Sequence, residues 1–273
     1  MRLVSMFASC VLLFWPNPAR SEPLQPTSKW VIDFAANQCM AMRAFGTDEQ
    51  PLNFALKSSP TSDVIQISLV RNGSKVEAAQ DVGRLTFDSG KTIKVKQLRY
   101  SSGKNVVRRI NLGAADANLL AHSSRLDWSI LGQSHDLALG SMAPVMKVMA
   151  QCRDDLRRYW NIGTATTPAF KEPAKSLTPL FSAFKSDDYP WQAIRNDETG
   201  ISGLVLLIDD NGKLADCMID QTSGIATLDA MACFVIQNRV KFAPAIGIDG
   251  KPVRSVLTQR IQWLLPGSKL PSK

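Results

Sequence analysis

The sequence predicts an α+β protein. A β-rich N-terminal domain ending in a long helix precedes a small domain with two helices on an antiparallel sheet. Short β-branched and alternating runs dominate residues 29–139. A single apolar stripe at three- and four-residue steps fills residues 141–160. Beyond a proline-marked stretch, a hairpin pattern lies between two helical ones.

In the first half, Trp30–Phe34 is a short apolar strand, and Asp63–Val70 alternates with Ile65, Ile67 and Leu69 on one side. Asn72-Gly73 is a hairpin turn signal. Further strands are expected at Gly83–Phe87, Thr92–Tyr100, Asn105–Leu112 and Asp127–Leu131, with Ser101-Ser102-Gly103 as a turn and Asp116–His122 as one or two helical turns. From Ser141, a capping residue, to Trp160 the stripe Met142, Val145, Met146, Met149 and Cys152 predicts one helix. Pro168, Pro173 and Pro179 mark the linker.

In the second half, Ser186-Asp187-Asp188 is read as a helix cap, with Pro190 in the first turn and the helix running to about Asn196. Gly203–Ile208 is an unbroken apolar strand. Asp209-Asp210-Asn211-Gly212 turns it, with positive φ expected at Asn211-Gly212, and Lys213–Ile219 returns. Leu228, Met231, Ala232, Val235 and Ile236 set a helix over Ile225–Arg239, and Val253–Trp263 is a long last strand.

Arg2, the 13-residue apolar run Leu3–Trp15 and small residues at Ala19-Arg20-Ser21 read as a cleavable export signal. A membrane span takes about 20 apolar residues. The expected organisation is a signal at 1–21, a basic domain at 22–160, a linker at 161–180, a second domain at 181–266 and a tail at 267–273. The 273 residues are 45 % hydrophobic and 21 % charged, which excludes a disordered chain. Residues 181–273 hold ten Lys/Arg and ten Asp/Glu, so the net +8 belongs to residues 1–180.

Four cysteines remain after the signal: Cys39, Cys152, Cys217 and Cys233. In an exported chain an even number points to two disulfides. Three pairings are open, and grouping by domain favours Cys39–Cys152 with Cys217–Cys233. Without a CxxC spacing, neither a redox site nor a zinc site is expected.

The order Tyr189-Pro190, strand–Asp-Asn-Gly–strand, Ser223-Gly224 before Leu228-Asp229-Ala230, Phe242 with Pro244, and Gly250 with Pro252-Val253 resembles the C-terminal domain of TonB-like proteins over Phe181–Leu265. That resemblance implies a periplasmic module that grips other envelope proteins, outer-membrane receptors above all, by pairing an extended segment with an exposed sheet edge. The candidate edge is Val253–Gln262, with Arg254, Ser255, Val256, Thr258, Gln259 and Arg260 as partner-binding residues. The long Pro-rich spacer and membrane anchor of the energy-transducing members are not expected here. The first region is similar to uncharacterised regions joined to such domains in secreted proteins of alphaproteobacteria, which implies no activity.

The alternative reading uses Lys91, Lys94, Lys96, Arg99, Lys104, Arg108 and Arg109, seven cations in nineteen residues without an acid. They would suit anionic lipid or glycan at the envelope surface. Nucleic acid is not expected as a partner of an exported chain, and a homodimer is left open. His122 and His135 are the only histidines, and no nucleophile elbow, phosphate-binding glycine loop or HExxH occurs. Asp209-Asp210-Asn211-Gly212 lacks the later ligands of a calcium loop. No catalysis, cofactor or metal is expected. Trp160, beside the linker, is the tryptophan expected at an interdomain contact.

Overall fold

A computed structural model describes residues 22–130, 133–163 and 170–267. The expected signal, Leu131, linker residues 164–169 and most of the tail lie outside the described residues.

The first region builds one antiparallel sheet of nine strands: β1 (Val31–Ala35), β2 (Gln38–Gly46), β3 (Pro51–Ser58), β4 (Ile65–Asn72), β5 (Ala79–Phe87), β6 (Thr92–Ser102), β7 (Asn105–Leu112), β8 (Arg125–Ile130) and β9 (Gln133–Ala138). The helix α1 (Ala114–Ala121) precedes β8, and α2 (Met142–Tyr159) follows β9. The strand order is β1-β2-β3-β4-β7-β6-β5-β8-β9. Asn72-Gly73 is therefore no hairpin turn: β4 pairs with β7, Asn72 facing Asn105. The chain passes over both β7 and β6 before β5, so a non-local pairing overrides the local turn signal. The sheet curls, and the segment 24–27 bridges its two ends. The Leu24 N–H donates to the Asp136 carbonyl at 2.7 Å, while the Thr27 N–H reaches the Ala44 carbonyl of β2 at 2.9 Å.

Strands β2 and β3 were not expected from sequence. Alternation fills the interior of the curled sheet: Phe45, Phe54, Leu56, Ile67, Leu85, Trp128 and Leu137 belong to one buried cluster. The α2 stripe Met142, Val145, Met149, Cys152 and Leu156 seals it. Ser141 is the N-cap of α2 by backbone conformation, but its hydroxyl makes no cap bond. Cys152 is bonded to Cys39 on β2.

In the second region β10 (Phe170–Glu172) and β11 (Lys175–Ser176), in the stretch read as linker, precede α3 (Leu180–Ala183), α4 (Trp191–Arg195), β12 (Gly200–Ile208), β13 (Leu214–Gln221) and α5 (Ala226–Arg239). Then come β14 (Phe242–Ala243), β15 (Ala245–Gly247), β16 (Pro252–Val253) and β17 (Ser255–Trp263). The main sheet has the order β13-β12-β17, while β10 pairs with β15 and β11 with β14. Ser186–Asp188 forms a separate 3-10 turn, and Pro190 is the N-cap of α4, so the expected cap is one element further upstream.

Positive φ occurs at Gly212 but not at Asn211. There the Asp209 carboxylate accepts the N–H groups of Asn211 and Lys213 at 2.9 and 2.7 Å, which closes the turn from the side-chain side. A Cβ on Gly212 would lie 2.6 Å from the Phe242 carbonyl oxygen. Cys217 on β13 is bonded to Cys233 on α5.

Central strand β12 is buried on both faces. Leu204, Leu206 and Ile208 pack with Leu228, Ala232, Val235 and Ile236 of α5. Val205 and Leu207 instead join the apolar cluster of the first region, with Ala215 and Val256 beside them. The first region's core thus extends onto β12, while a second cluster lies between β12 and α5. Among the described residues no helix is long and apolar enough to cross a membrane.

Candidate partner-binding edge

A three-stranded sheet has two edges, and the first region deals with one of them. Along β13, Lys57 Nζ pairs with Asp216 at 2.6 Å and Asn37 Nδ2 donates to the Ala215 carbonyl at 3.0 Å. The hydroxyls of Ser59 and Thr61 both donate to Asp220, at 3.0 and 2.8 Å. The opposite edge belongs to β17. It pairs with β12 from Ser255↔Ile208 to Trp263↔Gly200, and among the described residues no strand lies on its other side. An unpaired ladder of N–H and C=O groups is what an extended peptide completes.

The pleat gives β17 two unlike faces. Leu257, Ile261 and Trp263 point into the α5 side of the core. Thr258, Arg260 and Gln262 are exposed on the other face. Trp263 fixes the far end of the strand. The rings of Tyr189 and Phe184 meet it edge-on at 5.6 and 5.7 Å, and its Nε1 donates to Ser202 Oγ at 3.2 Å. Ser202 Oγ in turn donates to Asp229 at 2.7 Å, a carboxylate that also accepts from Thr222 Oγ1 at 2.6 Å and the Ser223 N–H at 2.9 Å. Asp229 is 2 % exposed, and these donors are what allow a carboxylate to be buried there.

The Tyr189-Pro190 segment is held by the neighbouring Asp188. Its carboxylate receives both terminal nitrogens of Arg239, at 2.6 and 2.9 Å, and the Lys185 N–H at 2.7 Å. The Arg239 hydrogen bonds hold the Asp188 carboxyl below its ordinary range, against the opposing effect of burial. The Tyr189 hydroxyl donates to the Glu198 carbonyl at 2.6 Å, and burial, then the Glu198 charge, pushes it up.

The edge residues named from sequence meet different fates. Arg254 Nη1 donates to the Tyr159 hydroxyl at 2.8 Å, its guanidinium lies 4.1 Å over that ring, and its carbonyl accepts from Asn161 at 2.8 Å. Ser255 is buried, and Val256 faces the first region's core. Thr258, Gln259 and Arg260 stay at the open stretch, and Gln262, not named from sequence, joins them. Trp160, expected at an interdomain contact, is buried in the cluster that takes in Val205 and Leu207 of β12, and its neighbour Tyr159 meets Arg254. The Trp160 indole donates to the Ala36 carbonyl at 2.6 Å.

The seven cations of the 91–109 segment occupy three places. Lys91 and Lys104 sit in the turns at opposite ends of β6. Lys94, Lys96 and Arg109 line a cleft of about 530 Å³ against Gly224 and Ala226 at the start of α5. There Lys96 pairs with Glu198 at 2.8 Å, and Arg109 stacks over Tyr100 at 5.3 Å. Arg99 and Arg108 face each other across β6 and β7, on the face that lines the interior of the sheet. His122 ends α1, while His135 lies on β9. Among the described residues no three His, Cys, Asp or Glu side chains gather as metal ligands would.

The family model described as Gram-negative bacterial TonB protein C-terminal matches residues 185–265. That span holds α4, β12, β13, α5 and β17, so this part of the chain is a TonB C-terminal-like domain. No curated protein and no solved structure matches the chain.

Proposed function

We propose that this is a non-catalytic binding protein of the Gram-negative cell envelope, working in the periplasm, whose TonB-like domain takes an extended segment of another envelope protein along β17. The single observation that carries this reading is the asymmetry of the β13-β12-β17 sheet. Each outer strand has one partner strand among the described residues, but side chains of the first region cover the β13 edge, whereas Thr258, Arg260 and Gln262 of β17 are exposed. The family match over 185–265 supports an envelope role for the domain. Because Arg254 and Val256 are engaged with the first region, the open stretch is Leu257–Gln262. A partner strand there would pair by backbone, with Thr258, Arg260 and Gln262 selecting its side chains. An outer-membrane receptor is the partner this reading favours, in a role linked to outer-membrane transport.

The test is a photo-crosslinking residue at Thr258 in living cells. Capture of an outer-membrane or other envelope protein supports the reading and names the partner. Capture of a second copy of this chain would make the edge a homodimer contact, and no capture would overturn the proposal.

A second reading, binding of anionic lipid or glycan, rests on the cleft shared by Lys94, Lys96 and Arg109. It requires salt-sensitive binding to anionic vesicles that is lost in Lys94→Ala with Arg109→Ala.

A further inference from the structure

The interior of the curled sheet changes character along its length. Toward α2 it is aliphatic and aromatic; toward the 46–51 turn it becomes basic. Alternation puts Arg71 on the same face as Ile67 and Leu69, Arg99 with Val95 and Gln97, Arg108 with Ile110 and Leu112, and His135 with Leu137. Register brings the three arginines together. Arg99 lies directly opposite Arg108, and Arg108 opposite Leu69, so Arg71 is its diagonal neighbour. Like charges placed opposite each other on one face repel, which makes this arrangement costly without a counter-charge.

The counter-charge in the protein is incomplete. Asp81, also on the inward face, pairs with Arg99 at 3.0 Å. Neither Arg71 nor Arg108 has an ion pair among the described residues, and the Nε of Arg108 is buried without a hydrogen-bond partner. Gln97 is fully buried, its Oε1 accepting from Trp128 at 2.8 Å, and its Nε2 is a second buried donor with no partner. A cleft of about 620 Å³ opens at this end, lined by Arg71, His135, Thr47, Glu49, Gln50 and Asn72, with Arg108, the diagonal neighbour of Arg71, outside that lining. Burial, then the charges of Arg108 and Arg71, pushes the His135 imidazole down, against a smaller opposing effect of Asp127, so at neutral pH it is an uncharged hydrogen-bonding group.

We propose that the mouth of the curled sheet is an oxyanion site, in which Arg71 and, behind it, Arg108 hold a phosphate-class group beside His135. Guanidiniums without ion pairs of their own suit a tetrahedral oxyanion, and the orphaned Nε of Arg108 supplies a directed hydrogen bond that a diffuse counterion cloud cannot use. The group arrives as free inorganic phosphate or as the phosphate of a lipid head group. This site is separate from the β17 edge, and neither depends on the other.

The test uses the full mature chain at constant ionic strength. Inorganic phosphate is titrated by calorimetry while the imidazole resonances of His135 are followed by NMR. Phosphatidylglycerol vesicles, with phosphatidylcholine vesicles as the neutral control, form the second arm. Saturable binding with a shift of the His135 resonances is expected, weakened about tenfold by Arg71→Ala and by Arg108→Met but not by Lys91→Ala at the far end of β6. Arg71 is exposed, so Arg71→Ala decides the matter if Arg108→Met fails to fold. Binding to inorganic phosphate identifies the free ion, and binding only to the anionic vesicles identifies the head group. No binding in either arm, a silent His135, or an equal loss in Lys91→Ala would overturn the proposal.

Discussion

The guanidinium of Arg254 lies 4.1 Å over the ring of Tyr159 and donates to its hydroxyl at 2.8 Å. One residue stands just before β17, the other ends α2, so this contact fixes the second region's free edge relative to the first. A double-mutant cycle with Arg254→Met and Tyr159→Leu is expected to give a coupling of about 0.5–1 kcal/mol, the range of a partly exposed cation–π pair. Urea denaturation of the four proteins measures it.

Trp263 should be the most costly single position of the edge strand. Trp263→Ala removes a buried ring packed on Phe184 and Tyr189, and is expected to destabilise by about 3–5 kcal/mol. Trp263→Phe keeps most of the packing and loses the donor to Ser202, which should cost about 1 kcal/mol. Unfolding midpoints of the two variants separate packing from hydrogen bonding.

The two disulfides close loops of different length, with sequence separations of 113 and 16. In the chain-entropy model, replacing Cys39 and Cys152 by serine costs about 4.7 kcal/mol, and replacing Cys217 and Cys233 about 3 kcal/mol. Equal losses in denaturant melts would mean that strain or residual structure outweighs loop entropy.

Acid should act in two windows. Asp188 has a folded pKa depressed by Arg239, so its contribution is full above the unfolded value of about 3.9 and fades as pH falls through the folded value. Asp188→Asn should remove this acid-limb slope. His135 is also depressed, so the unfolded chain takes up its proton first and stability falls as pH drops below about 6.5. His135→Gln should flatten that upper window and leave the lower one. Melting temperatures from pH 3 to 8 test both.

Several elements were legible because their cause is local. The α2 stripe, the Gly203–Ile208 run and the Asp209–Gly212 turn are each specified by neighbouring residues, and the structure keeps them. Strand β2 was not legible. Its sequence QCMAMRAFG puts alanine, a weak strand former, on both faces and has no β-branched residue, and its neighbours β1 and β3 make it extended. Strands β10 and β11 exist through pairing with β15 and β14, distant in the chain.

The candidate site divides in the same way. The sequence by itself determined that a long, partly polar last strand exists, that four cysteines group by region, and that residues 91–109 are strongly basic. Only the tertiary structure decided which sheet edge is open. That depends on Asn37, Lys57, Ser59 and Thr61 covering β13, with sequence separations from 159 to 178. It also split the basic run, because alternation sends Arg99 and Arg108 inward while Lys94, Lys96 and Arg109 face α5. Local patterning sets conformation at short range. The pairing of distant strands sets which backbone groups and which charges end up side by side.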